Sequence, residues 1–257
     1  VLSGGTAGIP LYFSGEFAII DFTVSAARRG GGRGKGHVPP HPAWKDAESA
    51  GSGRLSCVRR EDHPAGLSQA DRDWLLERGI TTVIDLRSPA EIEKLPDELA
   101  GQPGFAYRHL PLSGGVKLPH EEELVGWGYF QMLERKEEVA AVLAAIADAP
   151  GGVLFHCMAG KDRTGCVAAL LLTLAGVDRL DILADYQVSE TYIRPVIQWM
   201  RQTQENLPAY VGASRTEYLE DCLNRLEGAY GSVPDYLRAA ELSKEQLDRL
   251  RRRLLEE

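Results

Sequence analysis

Residues 153–165 read VLFHCMAGKDRTG and place an apolar run, a short loop and a helix start in direct succession. Val153 to His156 is predicted to form a short buried strand, and a helix is predicted to begin near Arg163. Because Cys157 ends the strand, its sulfur is expected to project into the loop rather than into the core. The backbone N–H groups of such a loop, with those that open the helix, converge on one point and form an anion site.

Predicted helices and strands alternate along the chain around this loop. Upstream, a capping box at Ser68 and Asp71 opens a helix that Gly79 ends. Apolar residues at helical spacing then predict two helices joined near Glu134. The predicted segments are strands Ile80–Leu86 and Phe105–Leu112 and helical regions 68–78, Glu122–Ala149, 163–176, Arg179–Glu190, Tyr192–Asn206, Ser214–Gly228 and 244–257. Alternation followed by helices predicts an α/β fold with a helical flank.

Side chains in the loop supply chemistry that suits a phosphate. The positive field of a helix N-terminus favours thiolate over thiol at Cys157. Arg163 follows six positions later, and its planar guanidinium is able to bind two phosphoryl oxygens at once. Thr164 is placed to donate its hydroxyl to the thiolate, while Gly160 and Gly165 allow tight turning and close packing. Together these residues predict phosphoryl transfer to Cys157, with a phosphocysteine that water later hydrolyses and without a metal.

The specificity of this motif rests on the full string at residues 156–165. The pattern Cys-x5-Arg alone is weak, because arsenate reductases and rhodanese-like proteins also contain it. Packing does not require Cys, Gly, Lys and Arg in the order HC-x-AGKDRTG. The competing interpretation is a buried apolar thiol followed by a solvated helix start. The string favours the catalytic interpretation.

The loop resembles that of the bacterial protein tyrosine phosphatase family whose active-site loop reads HCxAGKDRTG. TVIDLRSPAE at residues 82–91, ILADYQVSETY at 182–192 and the tail from Tyr218 to Leu250 are similar to that family too. The resemblance runs from about Gly53 to the end of the chain. It implies a mixed, largely parallel central sheet flanked by helices, with a helical C-terminal part. It also implies hydrolysis of phosphotyrosine, extended in many members to phosphoserine, phosphothreonine and phosphoinositides.

The general acid that protonates the leaving group has three candidates. The Trp-Pro-Asp string of better-known tyrosine phosphatases is absent, and its nearest likenesses are Leu95-Pro96-Asp97 and Val233-Pro234-Asp235. The resemblance instead points to Asp162 inside the loop, which we rank first, with Asp85 second and Asp97 third. Asp85 is expected either to assist catalysis or to orient Arg163.

The rest of the predicted site lies within the same loop. The resemblance implies that Lys161 adds a second cation, which suits a polyanionic head group. Substrate contacts are expected from Met158, Ala159, Gly160, Lys161 and Thr164, and loop support from His156 and Gly165. Tyr129, Met132 and Leu133 resemble a family helix position but are interpreted as core packing. No cofactor and no metal are expected.

The first 54 residues differ from the remainder. Residues 27–36 read ARRGGGRGKG, whose glycine density opposes regular structure, and Glu16–Val24 is the strand candidate before residue 55. The span from about Phe13 to Ala50 matches no segment of the family. We therefore expect an irregular N-terminal segment at residues 1–54 and a phosphatase-like catalytic domain at residues 55–257.

Composition excludes several other classes of protein. The net charge of −8 opposes general nucleic-acid binding, and four cysteines without CxxC indicate neither a disulfide scaffold nor a zinc site. No apolar run is long enough for a membrane span, and no cleavable signal is recognisable. These features predict a cytoplasmic protein, with release from the cell without a cleavable signal left open. The expected partner is a phosphorylated protein or phosphoinositide substrate, and no oligomeric state is indicated.

Two further functions compete with a cysteine-dependent phosphatase. One is a non-catalytic phosphate- or phosphoinositide-binding module, which would have no use for Cys157 or Asp162. The other is rhodanese-like sulfur transfer, which the HC-x-AGKDRTG context disfavours.

Overall fold

The computed structural model describes residues 12–14, 17–19, 58–61, 67–113, 121–203 and 206–255. The strands within these ranges are β1 Tyr12–Ser14, β2 Phe17–Ile19, β3 Val58–Glu61, β4 Ile80–Asp85, β5 Ala106–His109 and β6 Gly152–His156. The α-helices are α1 Gln69–Glu77, α2 Pro89–Lys94, α3 Val125–Leu133, α4 Lys136–Asp148, α5 Asp162–Leu174, α6 Arg179–Thr203, α7 Thr216–Tyr230, α8 Val233–Ala239 and α9 Lys244–Leu255. A 3-10 turn at Glu122–Leu124 leads into α3.

Four strands form the central sheet in the order β3-β6-β4-β5, and each neighbouring pair among them is parallel. β1 and β2 form a separate antiparallel pair. In the register of the central sheet, Asp85 at the end of β4 lies opposite His156 at the end of β6. The carboxyl ends of β4 and β6 therefore meet at one edge, which is where open parallel sheets place their ligands. The predicted α/β class is confirmed.

Helix α5 lies in the larger of the two apolar cores that the described residues form. Eleven of its 13 residues are buried, which explains the apolar run Cys166–Leu172. β6 is buried along its whole length, because a second core packs α1 against the other side of the sheet. The loop between β6 and α5 is therefore anchored at both ends in packed elements.

The predicted elements agree with the structure to within a few residues, except that strands β1 and β3 were not predicted and three helices differ from the prediction. The two helices predicted on either side of residue 191 are one helix, α6. Helices α2 and α8 were not predicted, although Ser88 and Ser232 cap them and a proline occupies their first turn. Both begin with a serine followed three residues later by an acid, which is a capping signature. They are too short for apolar periodicity to reveal them.

Most of the N-terminal segment lies outside the described residues. Strand β2 coincides with part of the strand candidate Glu16–Val24. The arginine–glycine stretch at 27–36, Cys57 and the boundary between residues 54 and 55 are not described. Within the ranges that are described, no helix combines the length and apolar character needed to cross a membrane.

Candidate active site

The loop at residues 157–161 connects the end of β6 to the start of α5. Its turn needs Gly160, whose φ of +57° lies in the left-handed region that a Cβ disfavours. Lys161 is the N-cap of α5 and makes no side-chain cap hydrogen bond, so the first N–H groups of the helix stay available to an anion. Cys157 is a free thiol with 2% of its surface exposed. The predicted strand–loop–helix is present, with the cysteine at the end of the strand.

Arg163 is held by a carboxylate that the sequence analysis did not identify. Its Nη1 donates to Glu91 Oε2 and its Nη2 donates to Glu91 Oε1, both at 2.7 Å. Burial by itself would lower the pKa of Arg163. The hydrogen bonds to Glu91 and the charge interaction with Cys157 outweigh burial and raise that pKa above its ordinary value. The structure therefore brings Cys157 and a charged guanidinium together.

Glu91 is positioned by the start of α2. Its Oε2 accepts from the backbone N and the Oγ of Ser88, at 2.7 and 2.8 Å, which closes a capping box. Burial would raise the pKa of Glu91, but the hydrogen bonds from Arg163 and Ser88 lower it to about 2. The carboxylate is ionised throughout the neutral range and fixes the plane of the Arg163 guanidinium.

Asp85 does not orient Arg163, which corrects one of its two expected roles. It is fully buried and accepts from Arg87 Nε at 3.0 Å, from Arg87 Nη2 at 2.6 Å and from the Tyr107 hydroxyl at 2.8 Å. Burial would raise the pKa of Asp85, but Arg87 and the nearby His156 lower it. The physical reason is proximity. Arg87 lies two residues further on and folds back onto Asp85, while Glu91 reaches Arg163 from α2.

Arg87 also reaches the far end of α2. Its Nη1 donates to the Leu95 carbonyl oxygen at 2.8 Å, and its Nη2 lies 3.6 Å from Asp97 Oδ2. The guanidinium is fully buried, so it depends on these oxygens to replace its hydration. The contacts fix the C-terminal end of α2 against the end of β4.

His156 lies between the buried pair of Asp85 and Arg87 and the loop at residues 157–161. Its Nε2 is 3.0 Å from Asp97 Oδ2, and its Nδ1 is 3.1 Å from the Cys157 carbonyl oxygen. Asp85, Asp97 and His156 place potential metal-ligand atoms within 4.8 Å of one another. The guanidinium of Arg87 already supplies a cation to both carboxylates. We therefore assign no metal to this group.

Asp162, the first residue of α5, accepts hydrogen bonds from two other elements. Lys161 Nζ donates to Asp162 Oδ1 at 2.8 Å, and the Tyr129 hydroxyl of α3 donates to the same oxygen. The Tyr129 hydroxyl oxygen lies 2.7 Å from that of Tyr186, which belongs to α6. Burial would raise the pKa of Asp162, but the charge of Lys161 and the bonds from Lys161 and Tyr129 lower it.

The candidate acids differ in their access to a substrate. The side chain of Asp162 is 32% exposed, whereas those of Asp85 and Asp97 are fully buried. In the Val233-Pro234-Asp235 string, Asp235 bonds to Ser232 at the start of α8 and pairs with Arg238, so it acts as a capping acid. A group that protonates a leaving oxygen has to touch it, and this favours Asp162.

The other predicted site residues belong to the loop or to the first turn of α5. Met158 and Ala159 are half-buried, and Gly165 is buried in the first turn of α5. The Thr164 hydroxyl is buried and makes no hydrogen bond in the part of the chain that is described, so the expected bond to the Cys157 sulfur is not formed. Tyr129, Met132 and Leu133 are buried in the core as interpreted, although the hydroxyl of Tyr129 also reaches Asp162.

Sequence reasoning missed Glu91 and Arg87, and it interpreted Tyr129 as core packing without its contact to Asp162. For Glu91 a signal existed, because Ser88-Pro89-Ala90-Glu91 is a capping box and marks a helix start. Tyr129 has no local signal, because its partner Asp162 belongs to another helix, α5. Arg87 lies only two residues after Asp85, but the sequence pattern does not show that its side chain folds back onto that carboxylate.

Known proteins are similar to the part of this chain that contains the candidate site. A model of the tyrosine phosphatase family matches residues 48–256. A tyrosine-protein phosphatase of Nostoc commune is 32% identical over 209 residues, which cover 73% of this chain and 70% of that protein. The triple specificity protein phosphatase PtpB of Mycobacterium tuberculosis is 38% identical over 120 residues, or 40% of this chain and 44% of that protein. The crystal structure of P. aeruginosa TpbA is similar with a TM-score of 0.40 and 19% identity, covering 72% of this chain and 86% of that one.

Proposed function

This chain belongs to the tyrosine phosphatase family, and we propose that it transfers the phosphoryl group of a phosphate monoester to Cys157. The observation that carries this proposal is the geometry at the start of α5. A cysteine at a strand end adjoins a guanidinium that Glu91 holds in a fixed plane. Family membership favours the enzyme over the non-catalytic binding module. We assign the catalytic domain to residues 55–257.

In the first step, the Cys157 thiolate attacks phosphorus in line with the leaving oxygen. A sulfur–phosphorus bond forms, the phosphorus–oxygen bond breaks, and the leaving oxygen takes up a proton. Negative charge gathers on the three equatorial oxygens in the transition state. The N–H groups that open α5 and the guanidinium of Arg163 are oriented in advance to receive that charge. Met158, Ala159, Gly160, Lys161 and Thr164 complete the contacts to substrate, and His156 and Gly165 support the loop.

We propose Asp162 as the general acid, with Asp85 and Asp97 in supporting roles behind the loop. Asp162 is a carboxylate in the resting enzyme, because Lys161 and Tyr129 lower its pKa. A bound phosphate dianion would draw the Lys161 ammonium toward itself and bring negative charge close, and both effects raise the pKa of Asp162. The carboxylate therefore takes up a proton from solvent when substrate binds, and the resulting acid gives that proton to the leaving oxygen. In the second step the same carboxylate takes a proton from the water that hydrolyses phosphocysteine, which regenerates the protonated acid. When inorganic phosphate leaves, the pKa of Asp162 falls again and its proton returns to solvent, which restores the resting carboxylate.

Phosphotyrosine is the proposed substrate, with phosphoserine, phosphothreonine and phosphoinositides as further candidates. Lys161 supports the wider range, because its buried ammonium adds a second cation beside Arg163. The mycobacterial relative is named a triple specificity protein phosphatase, which also favours a wider substrate range. A cysteine nucleophile stays reduced in the cytoplasm, which is where we propose that the enzyme acts.

The decisive experiment is phosphate release from an aryl phosphate by the full chain and by Cys157→Ser. We expect release by the wild type and none by the variant, which should still bind inorganic phosphate. Cys222→Ala, which removes a buried thiol of α7, is the matched control and should retain activity. Turnover by Cys157→Ser would disprove the nucleophile. A panel of phosphotyrosine peptides, phosphoserine peptides and phosphoinositide vesicles, assayed in parallel, then ranks the substrates.

The acid is tested with leaving groups of different basicity. Asp162→Ala should reduce kcat for alkyl phosphates by roughly a hundredfold or more, the usual contribution of a general acid, and aryl phosphates with acidic phenols much less. An equal loss for both classes would remove Asp162 from the acid role.

A further inference from the structure

The two carboxylate oxygens of Asp162 have different surroundings. Oδ1 accepts from Lys161 Nζ at 2.8 Å and from the Tyr129 hydroxyl. Oδ2 accepts no hydrogen bond from the residues that the structure describes. One oxygen is therefore fixed to the protein, while the other is left for a group outside it.

Tyr129 and Tyr186 form a directional chain of hydrogen bonds that ends at Oδ1. A tyrosine hydroxyl has one proton, and an ionised carboxylate only accepts. The proton of Tyr129 is therefore given to Asp162, and the Tyr186 hydroxyl, 2.7 Å from that of Tyr129, is the donor between the two tyrosines. Their rings meet edge to face at 6.2 Å, and both residues are buried.

We propose that Tyr129 is a positioning residue of the phosphatase, which fixes Asp162 through Oδ1 so that Oδ2 exchanges the proton with the leaving oxygen and then with water. This inference rests on the proposed role of Asp162. In the first half-reaction Oδ2–H gives its proton to the leaving oxygen, and in the second Oδ2 takes a proton from the attacking water. Tyr129 keeps its own proton throughout.

Charges around Asp162 determine the direction of the expected pH effect. The loop contributes Lys161, α5 contributes Arg163 and the thiol of Cys166, α3 contributes Tyr129 and α6 contributes Tyr186. Burial raises the pKa of Asp162, while Lys161, Tyr129 and Arg163 lower it. Removing the Tyr129 hydroxyl takes away one of the groups that lower this pKa. The pKa of Asp162 in Tyr129→Phe should therefore be higher than in the wild type.

The test compares Tyr129→Phe with the wild type on aryl and alkyl phosphates. We expect kcat for alkyl phosphates to fall on the order of tenfold with little change in KM, because the acid is misplaced rather than removed. The limb of the pH profile that reports Asp162 should move to higher pH. Tyr186→Phe should change the same quantities in the same direction but less. Tyr218→Phe, which removes a hydroxyl bonded to Glu122, is the matched control and should leave them unchanged.

The same substitution in the Asp162→Ala background separates positioning from packing. A positioning residue has nothing to position there, so Tyr129→Phe should cause no further loss. A similar loss in both backgrounds, or an equal loss for aryl and alkyl phosphates, would overturn the proposal. If Tyr129→Phe does not fold, Tyr186→Phe decides by the same comparison. Failure of the proposed function would be seen separately, as no phosphate release by the wild type or activity in Cys157→Ser.

Discussion

The Glu91 carboxylate caps helix α2 and binds the Arg163 guanidinium at the same time. One of its oxygens accepts from Ser88 and from Arg163, and the other accepts from Arg163. Paired parallel hydrogen bonds hold a guanidinium in one plane, where a single bond would leave it free to rotate. The flexible arginine side chain is therefore ordered before substrate arrives, and less conformational entropy is lost on binding.

Glu91→Gln should weaken both stability and catalysis. The pKa of Glu91 in the folded protein, about 2, lies below the ordinary value of 4.5. The ionised carboxylate therefore stabilises the fold above pH 4.5, and this contribution is lost as the pH falls from 4.5 toward 2. We expect the variant to lose about 3 kcal/mol of unfolding free energy at pH 7, measured by urea denaturation. The deficit should shrink between pH 4.5 and pH 3, and kcat/KM should fall on the order of tenfold.

Glu227→Gln is the control for that prediction. Glu227 pairs with Arg179 at 2.7 Å, but both side chains are about one-third exposed. Solvent-exposed ion pairs contribute about 1 kcal/mol or less, so this variant should lose little stability and no activity. Equal effects of the two substitutions would contradict the special position of Glu91.

Helix α2 is stabilised by contacts at both of its ends, because it is too short to be stable through its own hydrogen bonds. A six-residue helix is not stable alone, because nucleation costs more than so few hydrogen bonds return. The Ser88 cap and Pro89 fix its start, and Arg87 Nη1 binds the Leu95 carbonyl oxygen at its end. These contacts set the place from which Glu91 reaches Arg163.

Ser88→Ala should therefore reduce activity as well as stability. We expect a loss of about 1 kcal/mol of unfolding free energy, the usual effect of removing an N-cap, together with a lower kcat/KM. Ser68→Ala removes the corresponding cap of α1, which has the same capping box with Asp71, and should cost a similar free energy without changing kcat/KM. Thermal unfolding and aryl phosphate turnover measure both quantities. Equal kinetic effects of the two variants would show that α2 has no particular link to the site.

At the scale of the whole molecule, the parallel pairing of β4 and β6 brings the parts of the site together. Both strands end at the same edge, so the segment after β4 and the loop after β6 meet there. Among the contacts that join them are those of Glu91 with Arg163, of Asp97 with His156 and of the Leu86 N–H with the His156 carbonyl oxygen. The proposed anion cradle, which is the loop at residues 157–161 with Arg163, is thus supported by the sheet, by α2 and by α5 together.

Inorganic phosphate should stabilise the entire fold through this cradle. A ligand at one hundred times its Kd adds about 2.7 kcal/mol to the unfolding free energy, which is seen as a higher Tm. Arg163→Ala should abolish the Tm increase. Arg225→Ala, which removes an exposed guanidinium stacked near Trp127, should retain it. A phosphate effect that survives Arg163→Ala would place the anion at another site.

The sequence by itself determined the strand, the loop and the helix that hold Cys157, Asp162 and Arg163. These elements lie within residues 153–165, and the signals that form them are local: an apolar run, two glycines and a helix start. The α/β class followed in the same way from alternating periodic segments. Helices α2 and α8 were not predicted, although a capping signature is present at the start of each.

Tertiary structure alone decided which side chains support those residues. Glu91 lies 72 positions from Arg163, and Tyr129 lies 33 from Asp162 and 57 from Tyr186. Asp85 ends β4, and Glu91 follows it in α2. Both are acids, and the sequence pattern favoured Asp85 as the partner of Arg163, whereas the structure pairs Arg163 with Glu91. The choice between them depends on where α2 crosses the edge of the sheet, and strand order and helix packing set that geometry. Contacts between distant segments are specified by the packing of the whole core, which is why local patterns located the loop but not its supports.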